Sequence, residues 1–297
     1  CITKWMKVDY KLGGDFHIAY HKKYYAIGSN AFSEGAVYVL SSNQRDINSD
    51  LILQFDHRFN KHWVARLRLG HNMYETYVKN VDGEANGIIL PGFYNLSNSD
   101  DVSTSEYSYK IRRAGIYGDL ELAYNQMLFL TLTGRNDWST TLPEDNNSFF
   151  YPSASIGWIF TELSFLKDNK IFPYGKLRFS IARVANDPLQ YLTVTGYDRT
   201  YIWESWSQAG LDFPLLGKTG FSLSDVLGNP ELEPEVTTSW EVGIDLKFLN
   251  NRIAVDFTYV NNYSDGLLLP VDLSGASGYS RVTMNAAGMS TKGIDLV

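Results

Sequence analysis

The sequence predicts an all-β chain, an antiparallel transmembrane β-barrel whose strands are joined alternately by short turns and long loops. Three observations predict it. Apolar and polar residues alternate through segments longer than ordinary strands, as period-two side-chain geometry requires of a sheet with one greasy and one wet face. The connections between those segments are short and long by turns. No apolar run reaches the roughly 18 residues of a membrane helix, whereas a barrel strand needs only alternate apolar residues.

The pattern is clearest from Arg113 to Phe160. In Arg113–Tyr124, Ala114, Ile116, Leu120 and Leu122 oppose Arg113, Tyr117, Asp119 and Glu121. In Met127–Trp138, Leu128, Leu130 and Leu132 oppose Thr131, Thr133, Arg135 and Asp137. In Phe150–Phe160, Phe150, Ala154, Ile156, Trp158 and Phe160 oppose Tyr151, Ser153, Ser155 and Gly157. Asn125 and Gln126 alone separate the first two segments, and the polar stretch Ser139–Asn147 separates the next two. Such asymmetry places tight turns at one rim and long loops at the other.

In chain order, Cys1–Ile47 offers only short candidates: Trp5–Lys11, where Trp5, Lys7, Asp9 and Lys11 alternate with Met6, Val8 and Tyr10, then Tyr24–Ile27 and Ala36–Leu40. Asp50–Arg58 and the strand from Trp63 form a hairpin around Phe59–His62. Tyr74–Ser108, with Asp82-Gly83 and Pro91-Gly92, reads as a long loop. Beyond Phe160, Thr161–Pro173 holds a brief helical turn near Glu162–Leu166, and Tyr174–Val184 is a further strand. Ala185–Thr238 is the longest loop and is rich in aromatics. Trp240–Phe248 and Arg252–Asn261 form a hairpin, a loop covers Tyr263–Tyr279, Arg281–Gly288 is a strand, and Gly293–Val297 begins another. The count is about ten to twelve strands, several near the roughly 9–11 residues that cross a bilayer at a tilt.

Several runs within this pattern carry a resemblance. They are Gly134-Arg-Asn-Asp-Trp-Ser-Thr-Thr-Leu-Pro143, Tyr151-Pro-Ser-Ala-Ser-Ile-Gly-Trp158, Lys176-Leu-Arg-Phe-Ser180 with Asn186-Asp187, and Asn229-Pro230 with Leu232-Glu-Pro-Glu-Val-Thr-Thr-Ser-Trp-Glu241. Phe248-Leu-Asn-Asn-Arg252, Ser277-Gly-Tyr279 and Lys292-Gly-Ile-Asp295 continue them. In order and spacing, Arg113–Val297 resembles the SusC/RagA-like TonB-dependent outer-membrane transporters of Bacteroidota. That resemblance implies a barrel of about 22 strands, of which residues 1–297 supply about half, with the plug domain and the final strands outside the chain. It also implies a SusD-like surface lipoprotein and TonB as partners, and import of a bulky nutrient, a glycan or oligopeptide, across the outer membrane.

The chemistry of the remaining residues agrees with a wall rather than a catalyst. A net charge of −7 without a basic cluster argues against nucleic acid. There is no Gly-x-Ser-x-Gly elbow, Walker loop or His-Glu-x-x-His run, and His17, His21, His57, His62 and His71 lie beside no recognisable nucleophile. No enzyme activity, metal or cofactor is expected. His17 and His21 read as surface histidines, and Asp100, Asp101, Glu144 and Asp145 as solvated turns rather than a Ca²⁺ site. Arg135/Asp137 and Glu241/Asp245/Lys247 read as a polar inner wall, and Trp138, Phe150, Trp158, Trp240 and Phe248 as interfacial girdles. Tyr191, Tyr197, Tyr201, Trp203 and Trp206 in the longest loop are candidate substrate or partner contacts, because aromatic faces stack on sugar rings and pack peptide side chains. Cys1, the only cysteine, reads as an arbitrary start point rather than a lipidated terminus. The competing fold is a secreted soluble β-sandwich that binds carbohydrate, which also has one apolar face per strand. It requires the apolar faces to pack against a second layer, whereas the barrel requires them to stay bare.

Overall fold

Alternation builds a single large sheet, as the computed structural model of residues 3, 5–167, 169–204 and 209–297 shows. Its strands are β1 (Met6–Tyr25), β2 (Ala36–Arg58), β3 (Trp63–Asn86), β4 (Asp101–Tyr124), β5 (Leu128–Ser139), β6 (Ser148–Ile159) and β7 (Tyr174–Asn186). Within the longest loop lie β8 (Tyr197–Arg199), β9 (Tyr201–Glu204), β10 (Ala209–Asp212), β11 (Phe221–Leu223) and β12 (Val226–Leu227). The chain finishes with β13 (Glu235–Phe248), β14 (Ile253–Asp272) and β15 (Arg281–Leu296). The sheet is open, in the order β1-β2-β3-β4-β5-β6-β7-β13-β14-β15-β12. Each long strand therefore lies beside the next long strand in sequence, an up-and-down meander that alternates the connections between two ends. Within residues 53–70 and 115–297 the turns at 59–62, 125–127, 160–173 and 249–252 lie at one end of the strands and the loops at 140–147, 187–234 and 273–280 at the other, while 26–35 and 87–100 join strands of the other residues. We call these the turn end and the loop end.

The chain divides into two compact units. One holds residues 1–8, 53–70 and 115–297, and the other holds residues 9–52 and 71–114. In the first unit the pairing aligns whole rows across six strands. Leu128, Trp158, Leu177, Ile244, Phe257 and Leu296 form one row, and Leu130, Ile156, Phe179, Val242, Tyr259 and Ile294 form the next. Ile156, Phe179 and Val242 are each more than 40% exposed, so the apolar face has no layer over it. Among the described residues the only other sheets have two strands each. The sandwich alternative lacks the second layer it requires.

The opposite face carries rows of the other kind. Thr131, Ser155, Ser180 and Glu241 align in one, and Thr133, Ser153, Ala182, Ser239, Asn262 and Thr291 in another. Tight turns close the hairpins. Asn125 and Gln126 both take left-handed φ, 52° and 56°, as a two-residue turn matching strand twist requires, and Asn pays little for that conformation. At the turn end Phe160, Phe172 and Phe248 stack in sequence, with ring centroids 5.8 and 5.1 Å apart, and Trp158 meets Phe160 edge-on at 6.0 Å. This is an aromatic belt where a bilayer surface would lie.

In the second unit the hairpin strands extend much further than alternation alone predicts. Tyr74–Ser108 is not a long loop: β3 runs to Asn86, β4 begins at Asp101, and only 87–100 connects them. Likewise Ala36–Leu40 and Asp50–Arg58 are parts of one strand. Both faces of these extensions are polar, so the apolar/polar contrast that marks a strand in lipid is missing there. The extensions are closed beside the 26–35 and 87–100 connections by a small core of Val37, Ala85 and Ile88 with Val39, Tyr94 and Leu96 packed on it. Two further corrections fall in the first unit. β14 continues to Asp272, shortening the expected loop to 273–280, and Arg281–Leu296 is one strand rather than two. The run Ala286–Thr291 breaks alternation because the pairing shifts register between Ser264 and Leu268, around Gly266 at φ 63°.

Candidate functional site

Several of the family-like runs, Gly134–Pro143, Asn186-Asp187 and Asn229–Glu241, reach the loop end, and hydrogen bonds there account for some of their residue types. Trp138-Ser-Thr-Thr-Leu leaves β5 with Ser139 and Thr141 buried at 4% and 2% exposure. A buried hydroxyl needs a partner. Asp187, just past β7, accepts from Ser139 Oγ at 2.5 Å and from Thr141 Oγ1 at 2.8 Å. The β5–β6 loop and the base of the longest loop are thus clasped by one carboxylate.

A second clasp fixes the other end of the longest loop. Asn229 donates its side-chain amide to the Thr283 carbonyl at 3.0 Å and its backbone N–H to the Leu192 carbonyl at 2.9 Å, and accepts from the Glu231 N–H at 2.9 Å. Asn285 accepts from the Glu233 N–H at 3.0 Å and donates to the Glu233 and Gly266 carbonyls at 2.8 Å each. Glu235 accepts from the Leu268 N–H at 2.8 Å and from Asn186 at 3.1 Å. Leu232 is fully buried between these contacts in sequence, and β12 pairs in parallel with the start of β15. Both feet of the loop are therefore pinned, and its middle lies between them.

That middle holds the sequence-predicted contacts. Tyr191 takes φ 65° near the first foot and is 60% exposed. Tyr197 lies on β8, paired with Leu223 of β11, and is 73% exposed. Tyr201 and Trp203 occupy register positions on β9 opposite Asp212 and Gly210 of β10. Trp206 lies outside the described residues. Exposed Leu189, Val194, Leu216 and Phe221 add apolar surface to the same loop.

The inner wall of the first unit is a set of ion pairs laid flat on the sheet. Arg178 reaches Asp256 at 2.7 Å and Asp245 at 3.0 Å. It can do so because Gly243 lies beside it: a Cβ there would come within 3.0 Å of the guanidinium nitrogens. Arg135 pairs with Asp137 at 2.8 Å, donates to Tyr151 Oη at 2.8 Å and sits over the Tyr117 ring at 5.4 Å. Arg66 binds Asp56 at 2.7 Å and Glu121 at 3.3 Å, and Arg68 binds Asp119 at 2.7 Å and also Glu121. Arg135 and Asp137 stand where the sequence predicts them. Asp245 does too, but its partner is Arg178 across the sheet, while Lys247 lies over the Tyr174 ring at 5.3 Å. Arg178 was not singled out, because nothing local relates it to Asp256.

In the second unit the corresponding face is a ladder of amides and carboxylates. Gln44 donates to Asp46 at 2.7 Å, Asn48 to Asp50 at 2.8 Å, Asn72 to Asp50 at 2.6 Å, and Thr76 to Asp46 at 2.7 Å. Hydrogen bonds from Thr76, Gln44 and Tyr74 outweigh desolvation and hold the Asp46 carboxyl below its usual range. Among the described residues no group of three or more His, Cys, Asp or Glu side chains is placed to hold a metal ion.

A one-layer sheet with bare apolar rows on one face, a polar wall on the other and long loops at one end is the wall of an outer-membrane β-barrel. Residues 3–297 match the family model described as "TonB dependent receptor-like, beta-barrel", and the chain belongs to that family, whose place is the outer membrane. It is 27% identical to TonB-dependent receptor P26 of Formosa agariphila over 87% of this chain and 26% of the relative. It is 25% identical to TonB-dependent receptor SusC of Bacteroides thetaiotaomicron over 97% of this chain and 29% of SusC. The solved RagAB peptide transporter has the same fold, with a TM-score of 0.85 over 99% of this chain and 32% of that one, at 15% identity. The chain thus spans between a quarter and a third of the length of these relatives, which are receptors rather than enzymes.

Proposed function

We propose that residues 1–297 serve as part of the barrel wall and loop rim of a TonB-dependent transporter that imports a bulky nutrient, a glycan or an oligopeptide. A SusD-like surface lipoprotein would cover the loop end, and TonB would act through a plug region not contained in residues 1–297. The observation that carries this reading is the division of labour in the sheet. The wall's arginines are engaged by carboxylates lying flat on the sheet, while the longest loop is clamped at both feet and holds exposed aromatics between them. Tyr191, Tyr197, Tyr201, Trp203 and Trp206 are the proposed contacts to nutrient or lipoprotein.

The test is uptake by cells carrying the complete receptor with Tyr197, Tyr201 and Trp203 changed to Ala. Growth on the imported polymer should fall while receptor abundance in the outer membrane stays constant. Unchanged growth with normal abundance would remove these residues from recognition. Pull-down of the receptor should recover a surface lipoprotein, and its absence would remove the lid.

A further inference from the structure

On the wet face of the first unit, side chains in several rows engage one another across the strands. Thr133 and Ser153 share a hydrogen bond, Ser239 donates to Asn262 at 2.6 Å, Thr237 and Ser264 pair at 2.8 Å, and Arg178 lies between Asp245 and Asp256. One row differs. Thr131 of β5, Ser155 of β6, Ser180 of β7 and Glu241 of β13 are consecutive cross-strand neighbours. Among the described residues none of these four side chains has a hydrogen-bond or ion-pair partner. The three hydroxyls are half-buried, so they have given up part of their water with no protein partner in exchange.

The row borders a shallow depression of about 290 Å³, near the lower limit of small-molecule sites. Gly157 and Gly243, the cross-strand partners of Arg178, keep its floor low. Long cations lie flat over both: Lys176 Cε is 3.1 Å from where a Gly157 Cβ would stand, and Arg178 Nε is 3.0 Å from where a Gly243 Cβ would stand. Phe129, paired with Gly157, brings an aromatic ring to the β5 side. Lys176 and Arg178 against Glu241, Asp245 and Asp256 leave a local net charge of −1 (two minus three), which disfavours a polyanion.

The spacing selects the occupant. Neighbouring strands are about 4.8 Å apart, so the four groups recur at that interval over about 14 Å. The interval is close to the length of one pyranose unit in an extended glycan. Same-side groups of an extended peptide recur about every 6.7 Å and fall out of step with the row. Sugar hydroxyls both donate and accept, as do the Thr and Ser hydroxyls, and the Glu241 carboxylate accepts from them.

We propose that Thr131, Ser155, Ser180 and Glu241 form a station on the wall for a neutral, extended glycan, with the Phe129 ring against a sugar face. Each hydroxyl bond is weak, as suits a chain that must move on. The station lies on the strands rather than in the longest loop, and it rests on the glycan arm of the proposed function.

The test uses the complete receptor in detergent with Tyr197, Tyr201 and Trp203 changed to Ala, so that the loop contacts are removed. It is titrated with cellohexaose, with hexagalacturonate as the polyanionic probe and with pentaalanine as the peptide probe, and binding is read by saturation-transfer NMR. Cellohexaose should bind, and the other two should bind about tenfold more weakly or not at all. Adding T131V/S155A/S180A should lower cellohexaose affinity about tenfold, the sum of three weak hydrogen bonds. E241Q, a change at one exposed side chain, should lower it severalfold and decides the matter if the triple change does not fold. Unchanged affinity in the folded wall variants overturns the proposal, as does equal or tighter binding of pentaalanine or hexagalacturonate. Absence of cellohexaose binding also overturns it, and makes the row a packing face for another part of the receptor. Unchanged growth of cells carrying the loop changes would remove the loop reading and leave a positive wall titration standing.

Discussion

Placing one arginine on each side of the same strand tests which face of the sheet meets lipid. Ala154 of β6 lies on the apolar face, between Leu132 of β5 and Ile181 of β7. Trp158 and Phe150 flank it on the same face, each four residues away along β6. Four residues are about 13 Å of strand and, at a tilt near 40°, about 10 Å of depth, so Ala154 sits near the middle of the apolar band. Ala154→Arg removes almost no apolar area, which isolates the cost of the charge. That cost is about 2–4 kcal/mol at the midplane of a barrel, or about thirtyfold to several hundredfold in the folding equilibrium. Ser155→Arg, one residue along, points to the polar wall between Thr131 and Ser180, and should cost under about 1 kcal/mol.

The assay is urea unfolding of the complete receptor in phosphocholine vesicles, with the folded fraction followed by heat-modifiable migration. Equal costs at the two positions would refute a lipid-facing assignment for the row. A larger cost at Ser155 would invert the faces and with them the placement of every loop and ion pair described above.

Four further outcomes are expected. Asp187→Ala leaves the buried Ser139 and Thr141 hydroxyls without that acceptor, costing about 1–3 kcal/mol locally, so amide protection across 139–147 should drop while Asp187→Asn keeps part of it. Leu232→Ala, at a fully buried position, should cost about 2–5 kcal/mol and expose the longest loop to protease at its second foot. Arg178→Gln should cost under about 1 kcal/mol, because the side chain is 40% exposed, and unfolding should register almost nothing. The Glu75 carboxyl is held below its usual range chiefly by the hydrogen bond from Arg112. Its contribution is therefore present above the unfolded carboxylate pKa and lost as pH falls through the lowered folded value, and amide protection around Glu75 should show that acid dependence, which Glu75→Gln abolishes.

Alternation made the membrane-crossing part of the sheet legible to within a residue or two. Met127–Trp138 was expected and Leu128–Ser139 is observed; Phe150–Phe160 was expected and Ser148–Ile159 is observed. The same rule failed on the β2–β3–β4 extensions because it reads a difference between faces, and Asp46, Asn48 and Thr76 on one side against Arg45, Glu75 and Tyr77 on the other are all polar. It failed again on β15, where a register shift around Gly266 breaks the period. The clasps were invisible for another reason. Asp187 and Ser139 are 48 residues apart, and only the folded sheet brings β5 and β7 to the same end. Their signal was nonetheless present: Ser139, Thr141, Asp187, Asn229 and Leu232 all lie in the runs that carried the family resemblance.

A sheet of this kind has almost no interior, and that shapes where recognition can reside. Among the described residues the buried apolar side chains are few, gathered around Val37, Ala85 and Ile88 in one unit and including Leu142, Leu232 and Val282 beside the loops of the other. Elsewhere the strands are held by backbone pairing and by side chains lying flat on the wall, such as Arg178 against Asp245 and Asp256. Arg178 is outnumbered by its two carboxylates, so the polar face stays acidic there, and the shallow depression it offers is lined by short polar side chains such as Thr131, Ser155 and Ser180. On the proposed function, recognition would fall to elements that are held at their base and exposed further out. The 187–234 loop has both feet fixed by buried or multiple hydrogen-bonded contacts. Loosening either foot should therefore damage selectivity before it damages the barrel, which separates the role of the clasps from that of the lipid-facing rows.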